Sequence, residues 1–183
     1  MAMFIYKTGV YPISLETASA RITLNQDGSI QLSMGATEIG QGADTVFTQM
    51  AAETTGISVD RVYINSTQDT DVTPFDTGAY ASRQTYVSGM ACKKCALEFR
   101  QKVLEYAAYM LNHDVTDLSK TVYADLVKEA AGKVRQVLGL HAEEEITWEM
   151  LDIADSQVVV NGGDPVLFDV AVVADTAFYS LDR

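Results

Sequence analysis

The sequence predicts an α+β fold, a β-hairpin and one further strand packed with amphipathic helices, and three observations support this. Residues 18–24 and 29–34 alternate apolar and polar side chains about Asn25-Gln-Asp-Gly28, whose Asp-Gly favours the positive φ of a tight turn. Residues 43–55 and 88–111 repeat apolar side chains every three or four positions, the period of a helix with one buried face. Residues 61–65 alternate again, so strand, strand, helix and strand make a compact unit. With 183 residues, 48% of them hydrophobic, the chain can bury one sizeable core.

Taken in order, residues 1–14 are apolar and aromatic without helical spacing and are broken by Pro12, as in a lead-in loop or edge strand. The hairpin runs into a glycine loop, Gly35-Ala-Thr-Glu-Ile-Gly-Gln-Gly42. The helix after it turns Val46, Phe47, Met50 and Ala51 inward, has Asp44 in its first turn to complement the dipole, and meets Gly56 just past its end. Residues 66–78 form a polar loop too long for a simple connection and so a candidate for function. The long helix at 88–111 places Cys92, Ala96, Phe99, Val103, Ala107 and Met110 on one face, and His113 follows as a cap at its negative end. A second amphipathic run at 123–138 has Leu126, Ala130, Val134 and Val137 in register, and Glu143, Glu144 and Glu145 read as a solvated helix face. Residues 157–160 form a strand, Asn161-Gly-Gly-Asp164 a turn and 168–180 another helix. The whole reads as one unit: a core of about 15–112, a helical extension at 113–148 and a strand-helix segment at 149–183.

A net charge of -12 predicts neither a nucleic-acid nor an anionic-membrane partner, because phosphate would be repelled. No run reaches the ~18 apolar residues of a membrane span, and the first residues lack a basic start, which predicts a cytoplasmic setting. Cys92 and Cys95 have no second pair and sit in a helix-like run, so buried or half-buried thiols are expected rather than zinc or redox chemistry. Asp69, Asp71 and Asp76 fail the calcium-loop test, because Pro74 and Tyr80 stand where Gly and Glu are required. Turn-forming aspartates are the better account.

The first glycine loop joins a strand to a helix, a place where unpaired N–H groups can hold an anion. It is not the phosphate loop of nucleotide-binding proteins, since Gln41 and Gly42 stand where Lys and Ser or Thr are needed, and Thr45 replaces the third glycine of the dinucleotide fingerprint. Alone it is an ordinary strand-to-helix turn. A second glycine-containing loop, Asp76-Thr-Gly-Ala-Tyr-Ala-Ser-Arg-Gln84, also leads toward a helix. Arg83 within it has two readings, an ion pair with one of the nearby aspartates or a cofactor contact.

The ordered combination of Gly35 to Gly42, a Gln-containing amphipathic helix, Gly56-Ile-Ser, the run from Asp69 to Thr85, and Gly89 resembles the molybdenum-binding subunit of the xanthine dehydrogenase and aldehyde oxidase family. The likeness covers residues 15–109 and returns near 161–183, and residues 67–75 look most like bacterial xanthine dehydrogenases. It implies that the chain is part of a molybdopterin-binding domain, holding molybdopterin with molybdenum, with or without the cytosine dinucleotide extension. Carried over residue by residue, the cofactor-contacting positions are Gly40, Gln41, Gly42, Ala81, Ser82, Arg83 and Gln84. No catalytic residue and no metal ligand is implied, because the glycine-rich segment that bears the family's glutamate base has no counterpart here. The resemblance further implies part of a molybdenum hydroxylase acting on a purine or related small heterocycle. Its partners would be the remainder of the molybdenum subunit and FAD and iron-sulfur subunits or domains. The alternatives are a non-enzymatic fragment that folds without binding cofactor, or part of an aldehyde or nicotinate hydroxylase. The family's catalytic subunit is several times longer, so this chain is expected to be a truncated piece, inactive alone. Apolar patches are then expected at residues 4–6, on the outer side of the long helix and along 170–178, with the 123–138 helix as a lid.

Overall fold

The computed structural model describes residues 1–65, 69–116 and 121–181. Strands β1 (Ala20–Leu24), β2 (Ile30–Met34) and β3 (Val62–Asn65) form one sheet in that order. The predicted hairpin is present, with Leu24 opposite Ile30 across the turn, and β3 runs parallel to β2 with Val62 opposite Ile30. Parallel neighbours need a crossover. Helix α1 (Ala43–Thr55) supplies it and lays Phe47 and Ala51 into the core beside Ile30, Leu32 and Met34. It ends where expected, with Gly56 at φ 80° returning its N–H to the Ala52 carbonyl at 2.9 Å.

Helix α2 (Gln84–Asn112) crosses the molecule with Cys92, Ala96, Val103, Ala107 and Met110 buried. It starts four residues earlier than its sequence pattern suggests. Thr85, Val87 and Gly89 are poor helix formers, and contacts from elsewhere in the chain hold the start in place, as described below. His113 accepts the expected capping place: its Nδ1 lies 2.8 Å from the Tyr109 carbonyl and its ring stacks on Tyr109 at 4.2 Å. Helix α3 (Thr121–Leu138) packs on α2 and buries Val127, Ala130 and Val134, whereas Val137 faces solvent.

The C-terminal part corrects the sequence reading. Strands β4 (Leu151–Ala154), β5 (Gln157–Val160) and β6 (Val166–Asp169) form a second, antiparallel sheet, and α4 (Val170–Leu181) follows directly. Only β5 is evident from sequence. Phe168, expected in a helix, pairs with Val158 in β6. Strands of four residues are too short for alternation to stand out, and β6 runs without a break into an apolar helix. Glu143, Glu144 and Glu145 lie exposed in a turn rather than on a helix, where Glu144 accepts the His141 N–H. The second sheet docks on the end of α1. Ser156 donates its N–H to the Gly56 carbonyl, its hydroxyl accepts the Ser58 N–H at 2.9 Å, and Arg61 pairs with Asp169 at 2.9 Å.

The expected apolar patch along 170–178 is largely covered, since Val170, Val172, Val173 and Ala174 are buried and Phe178 at its end is exposed; Phe4, Ile5, Met90 and Leu97 are exposed as well. Among the described residues, no group of His, Cys, Asp or Glu is placed to hold a metal ion, and no helix is long and apolar enough to cross a membrane. Asp69 accepts the Asp71 N–H at 2.9 Å, as a turn residue does. Cys92 is buried and Cys95 half-buried, and burial pushes the Cys92 thiol up to about 12.

Candidate functional site

The first glycine loop departs from expectation at the start of α1. Its N–H groups are not open: the Glu38 carboxylate accepts from Gly40 at 2.6 Å, from Gly42 at 3.1 Å and from Asp44 at 3.1 Å. Hydrogen bonds from the Asp44 and Gly42 N–H groups hold this carboxyl below its ordinary value. The positive end of the α1 dipole is therefore filled by the chain itself. Gly42 at φ 83° bends the loop back so that a side chain four residues earlier can reach the helix start. An acidic residue just ahead of a helix was the signal for this cap, and reading the loop for its glycines alone passes over it.

Gln41 is likewise engaged. Its amide oxygen accepts the Ile39 N–H at 2.7 Å, and its nitrogen donates to the Thr37 carbonyl at 2.9 Å and to Gln84 Oε1 at 2.5 Å. Gln84 in turn donates to the Thr37 carbonyl at 3.0 Å. An amide nitrogen has two hydrogens, so both of Gln41's are in use. The two loops, far apart in sequence, thus meet through a pair of glutamine side chains that share one carbonyl.

At the second loop Ala81 (φ 48°) and Ser82 (φ 50°) are consecutive left-handed residues, neither of them glycine. Such residues cost roughly 1–2 kcal/mol each and persist only where their surroundings hold them. The Gly9 N–H donates to the Ala81 carbonyl at 2.7 Å, and the Arg83 N–H to the Tyr80 carbonyl at 3.1 Å. The Arg83 side chain points inward and is fully buried. Its Nε meets Glu16 at 2.5 Å, Nη1 meets Asp76 at 2.9 Å and the Gly78 carbonyl at 2.6 Å, and Nη2 meets the Thr17 carbonyl at 2.7 Å. Burial works against the charged guanidinium, but the hydrogen bonds to Asp76 and Glu16 outweigh it and hold its pKa above the usual arginine value. The ion pair, one of the two readings of Arg83, is present with both Glu16 and Asp76.

The start of α2 is bare by comparison. Its first chain-closing bond is from the Val87 N–H to the Arg83 carbonyl at 2.7 Å, and no side chain caps it. The N–H groups of Gln84, Thr85 and Tyr86 are open among the described residues, beside the exposed Ser82 hydroxyl. A cleft of about 460 Å³ lies there, lined by Ile39, Gln41, Ala81, Ser82 and Gln84 among others. A larger apolar groove of about 960 Å³ continues from Ser82 and Thr85 between α1 and α2 past Met50 and Met90. The smaller cleft is the one that polar groups of both loops share, so it is the candidate site despite its size. Ile39 and Gln41 line it from one side and residues 79–85 from the other, while Gly40 and Gly42 flank Gln41 without lining the cleft.

The sequence matches the molybdopterin cofactor-binding domain family over residues 1–150. It is 52% identical over 119 residues to the xanthine dehydrogenase molybdenum-binding subunit of Escherichia coli O157:H7, a stretch that is 65% of this chain and 16% of that relative. It is 32% identical over 130 residues to the carbon monoxide dehydrogenase large chain of Afipia carboxidovorans, covering 71% of this chain and 15% of that relative. Among solved structures, CO dehydrogenase from Oligotropha carboxidovorans superposes with a TM-score of 0.61 over 88% of this chain and 16% of the other, at 24% identity. Quinoline 2-oxidoreductase from Pseudomonas putida 86 does so with a TM-score of 0.59 over 90% of this chain and 16% of the other, at 20% identity. These two likenesses show the fold.

Proposed function

The chain belongs to the molybdopterin cofactor-binding domain family, and on that premise we propose that residues 81–86 hold the phosphate end of the pterin cofactor. One contrast supports this: Glu38 fills the positive end of α1, while α2 begins with open N–H groups beside a free-standing serine hydroxyl. A helix start of that kind binds a phosphate without a charged side chain. The donor set fits the group, being made of neutral hydrogen-bonding atoms at the mouth of a cleft. Ser82 would donate its hydroxyl, and Gln84, Thr85 and Tyr86 their backbone N–H groups. The amides of Gln41 and Gln84 would meet the polar edge of the pterin by exchanging the bond they make with each other. Gly40 and Gly42 leave the loop open on its outer side, since a Cβ at either would meet nothing within 4 Å. Ala81 supplies the left-handed turn, and Arg83 acts from beneath it. With molybdenum bound, the cofactor supplies oxidative hydroxylation; this chain's residues orient it and satisfy its polar atoms.

We extend the proposal to a molybdenum hydroxylase of the xanthine dehydrogenase type acting on a purine or related heterocycle, supported by the 52% identity to the bacterial subunit. Because the chain spans 15–16% of those relatives, its partners in this reading are the remainder of a molybdenum subunit and the FAD and iron-sulfur components. Residues 1–183 serve as one cofactor-binding unit within it. The test is pterin content, read by fluorescence after oxidative release from the purified protein. A lost hydrogen bond to a charged group costs ~1.5–3 kcal/mol, so Ser82→Ala should bind ~10- to 100-fold more weakly. Equal pterin in Ser82→Ala and the parent overturns the assignment. Absence of pterin from the parent, even when it is made in a cell that synthesises the cofactor, favours a domain that folds without binding it.

A further inference from the structure

We propose that Glu16 and Arg83 are positioning residues, a partly buried ion-pair relay through which the N-terminal segment holds the left-handed turn at Ala81 and Ser82 in the shape that receives a phosphate. The proposal rests on the reading of that turn given above. The relay is continuous: the Val10 N–H donates to Glu16 Oε1 at 2.6 Å and Arg83 Nε to Glu16 Oε2 at 2.5 Å. Arg83 Nη1 then donates to Asp76 Oδ1 at 2.9 Å, and Ser88 Oγ of α2 to Asp76 Oδ2 at 2.6 Å. Each carboxylate oxygen has a donor, which is the condition under which a buried polar network fixes one geometry.

The N-terminal segment is tied to the second loop, through the Thr17 carbonyl to Thr77 and through the bridge from Ala18 to Asp76. Tyr11, Ile13 and Leu15 are exposed, so the segment adds little to the core. Its inward bonds instead converge on the turn: Gly9 N–H on the Ala81 carbonyl, Glu16 on Arg83 Nε, and the Thr17 carbonyl on Arg83 Nη2. Gly9 itself is shaped by the relay, because a Cβ there would lie 2.9 Å from Glu16 Oε1 and its φ is +74°. Two left-handed non-glycine residues in succession would relax toward extended or right-handed backbone if these bonds were absent. Relaxation would turn Ser82 and the N–H groups after it away from the cleft.

Glu16→Gln tests this, since Asp76 still neutralises Arg83 and the variant keeps its shape. Asp169→Asn is the control, breaking the Arg61 ion pair on the second sheet. Two quantities are read by NMR on the 183-residue chain: hydrogen exchange at the Gly9 and Arg83 amides, and the affinity for inorganic phosphate followed at the Ser82 and Gln84 amides. Exchange about tenfold faster and phosphate binding about tenfold weaker are expected in Glu16→Gln and not in Asp169→Asn. Gly9→Ala, which crowds Glu16 without removing a charge, should do the same and serves if Glu16→Gln does not fold. Unchanged exchange, or equal changes in the control, overturns the relay. If the parent shows no phosphate shift at Ser82, the phosphate reading fails, and the exchange measurement alone decides whether the relay holds the turn.

Discussion

Gly35 sits where the two loops press together, and Gly35→Ala gives a stability change that can be worked from the structure. A Cβ at this position would lie 2.2 Å from the Pro74 carbonyl oxygen, 2.8 Å from the Asp76 N and 2.8 Å from the Asp76 Cβ. Ordinary contact begins at 3.4 Å, so the Pro74 carbonyl must move by 3.4 − 2.2 = 1.2 Å. All three atoms belong to one short segment that has little room to yield, because Asp76 bridges to Ala18 and is bound by Arg83 and Ser88. Overpacking of this kind costs ~1–3 kcal/mol. For a chain of this size each kcal/mol moves the melting temperature by roughly 2–4 °C, so a fall of about 2–12 °C is expected. Gly132→Ala is the contrasting change: it lies in α3 with nothing within 4 Å of its Cβ, and replacing a helical glycine should gain ~0.5–1 kcal/mol. Melting followed by circular dichroism reads both. A Gly35→Ala protein that melts with or above its parent, beside a Gly132→Ala protein that melts higher, would falsify the account of how the loops are joined.

Gln41→Ala should lower molybdenum content in the complete subunit while moving the melting temperature little, because two of its three hydrogen bonds are solvent-exposed, where water takes the place of the lost side chain, and the third neutral bond contributes only ~0.5–1.5 kcal/mol; equal metal content in variant and parent argues against a cofactor role. Glu38 predicts a pH dependence. Its folded pKa is depressed, so its contribution is present above the ordinary carboxylate value of about 4.3 and fades as pH falls through the lower folded value. The gap in melting temperature between parent and Glu38→Gln should therefore close in acid, and parallel curves from neutral to acidic pH count against the cap. Finally, the 183-residue chain alone should not hydroxylate xanthine, since none of its candidate site residues is placed as a general base, whose loss costs ~100-fold or more; cofactor-dependent turnover by the pure chain refutes this.

Where local chemistry decides an element, the sequence is a good guide. Asp44 and Gly56 mark the ends of α1, and Asp27-Gly28 marks the hairpin turn, because capping and positive φ depend on residues a few positions apart. The start of α2 is not legible in this way. It depends on Arg83 meeting Glu16, a residue 67 positions away, and no window of sequence contains both. Strands β4 and β6 escape for a related reason, since their pairing with β5 rather than their own alternation defines them. At the site, the candidate residues can be named from the two loops, and those loops do meet through Gln41 and Gln84. The direction of each side chain is another matter. Glu38 turns back onto α1 and Arg83 turns inward, and both directions follow from partners that only the folded chain assembles.

The chain's net charge of -12 sets a problem for any phosphate-binding role, and the arrangement of carboxylates shows how the site can meet it. A carboxylate near a helix start caps it, as Glu38 does for α1, and a start so capped repels a second anion. Two carboxylates are bonded at the start of α2: Asp76, whose Oδ2 takes the Ser88 hydroxyl in the first turns, and Glu16, which meets Arg83 just ahead of the helix. Arg83 binds both. Its guanidinium neutralises one charge outright and holds the other beneath the turn, bonded through its second oxygen to Val10. The same residue that anchors the turn thus occupies both carboxylates, and among the described residues neither bonds the N–H groups of Gln84, Thr85 and Tyr86. On this view an arginine whose side chain is turned inward shapes the charge around the site that an anion would enter. A lysine there would be a poor substitute, because one ammonium cannot reach Glu16, Asp76, Gly78 and Thr17 in the planar fork that Arg83 uses.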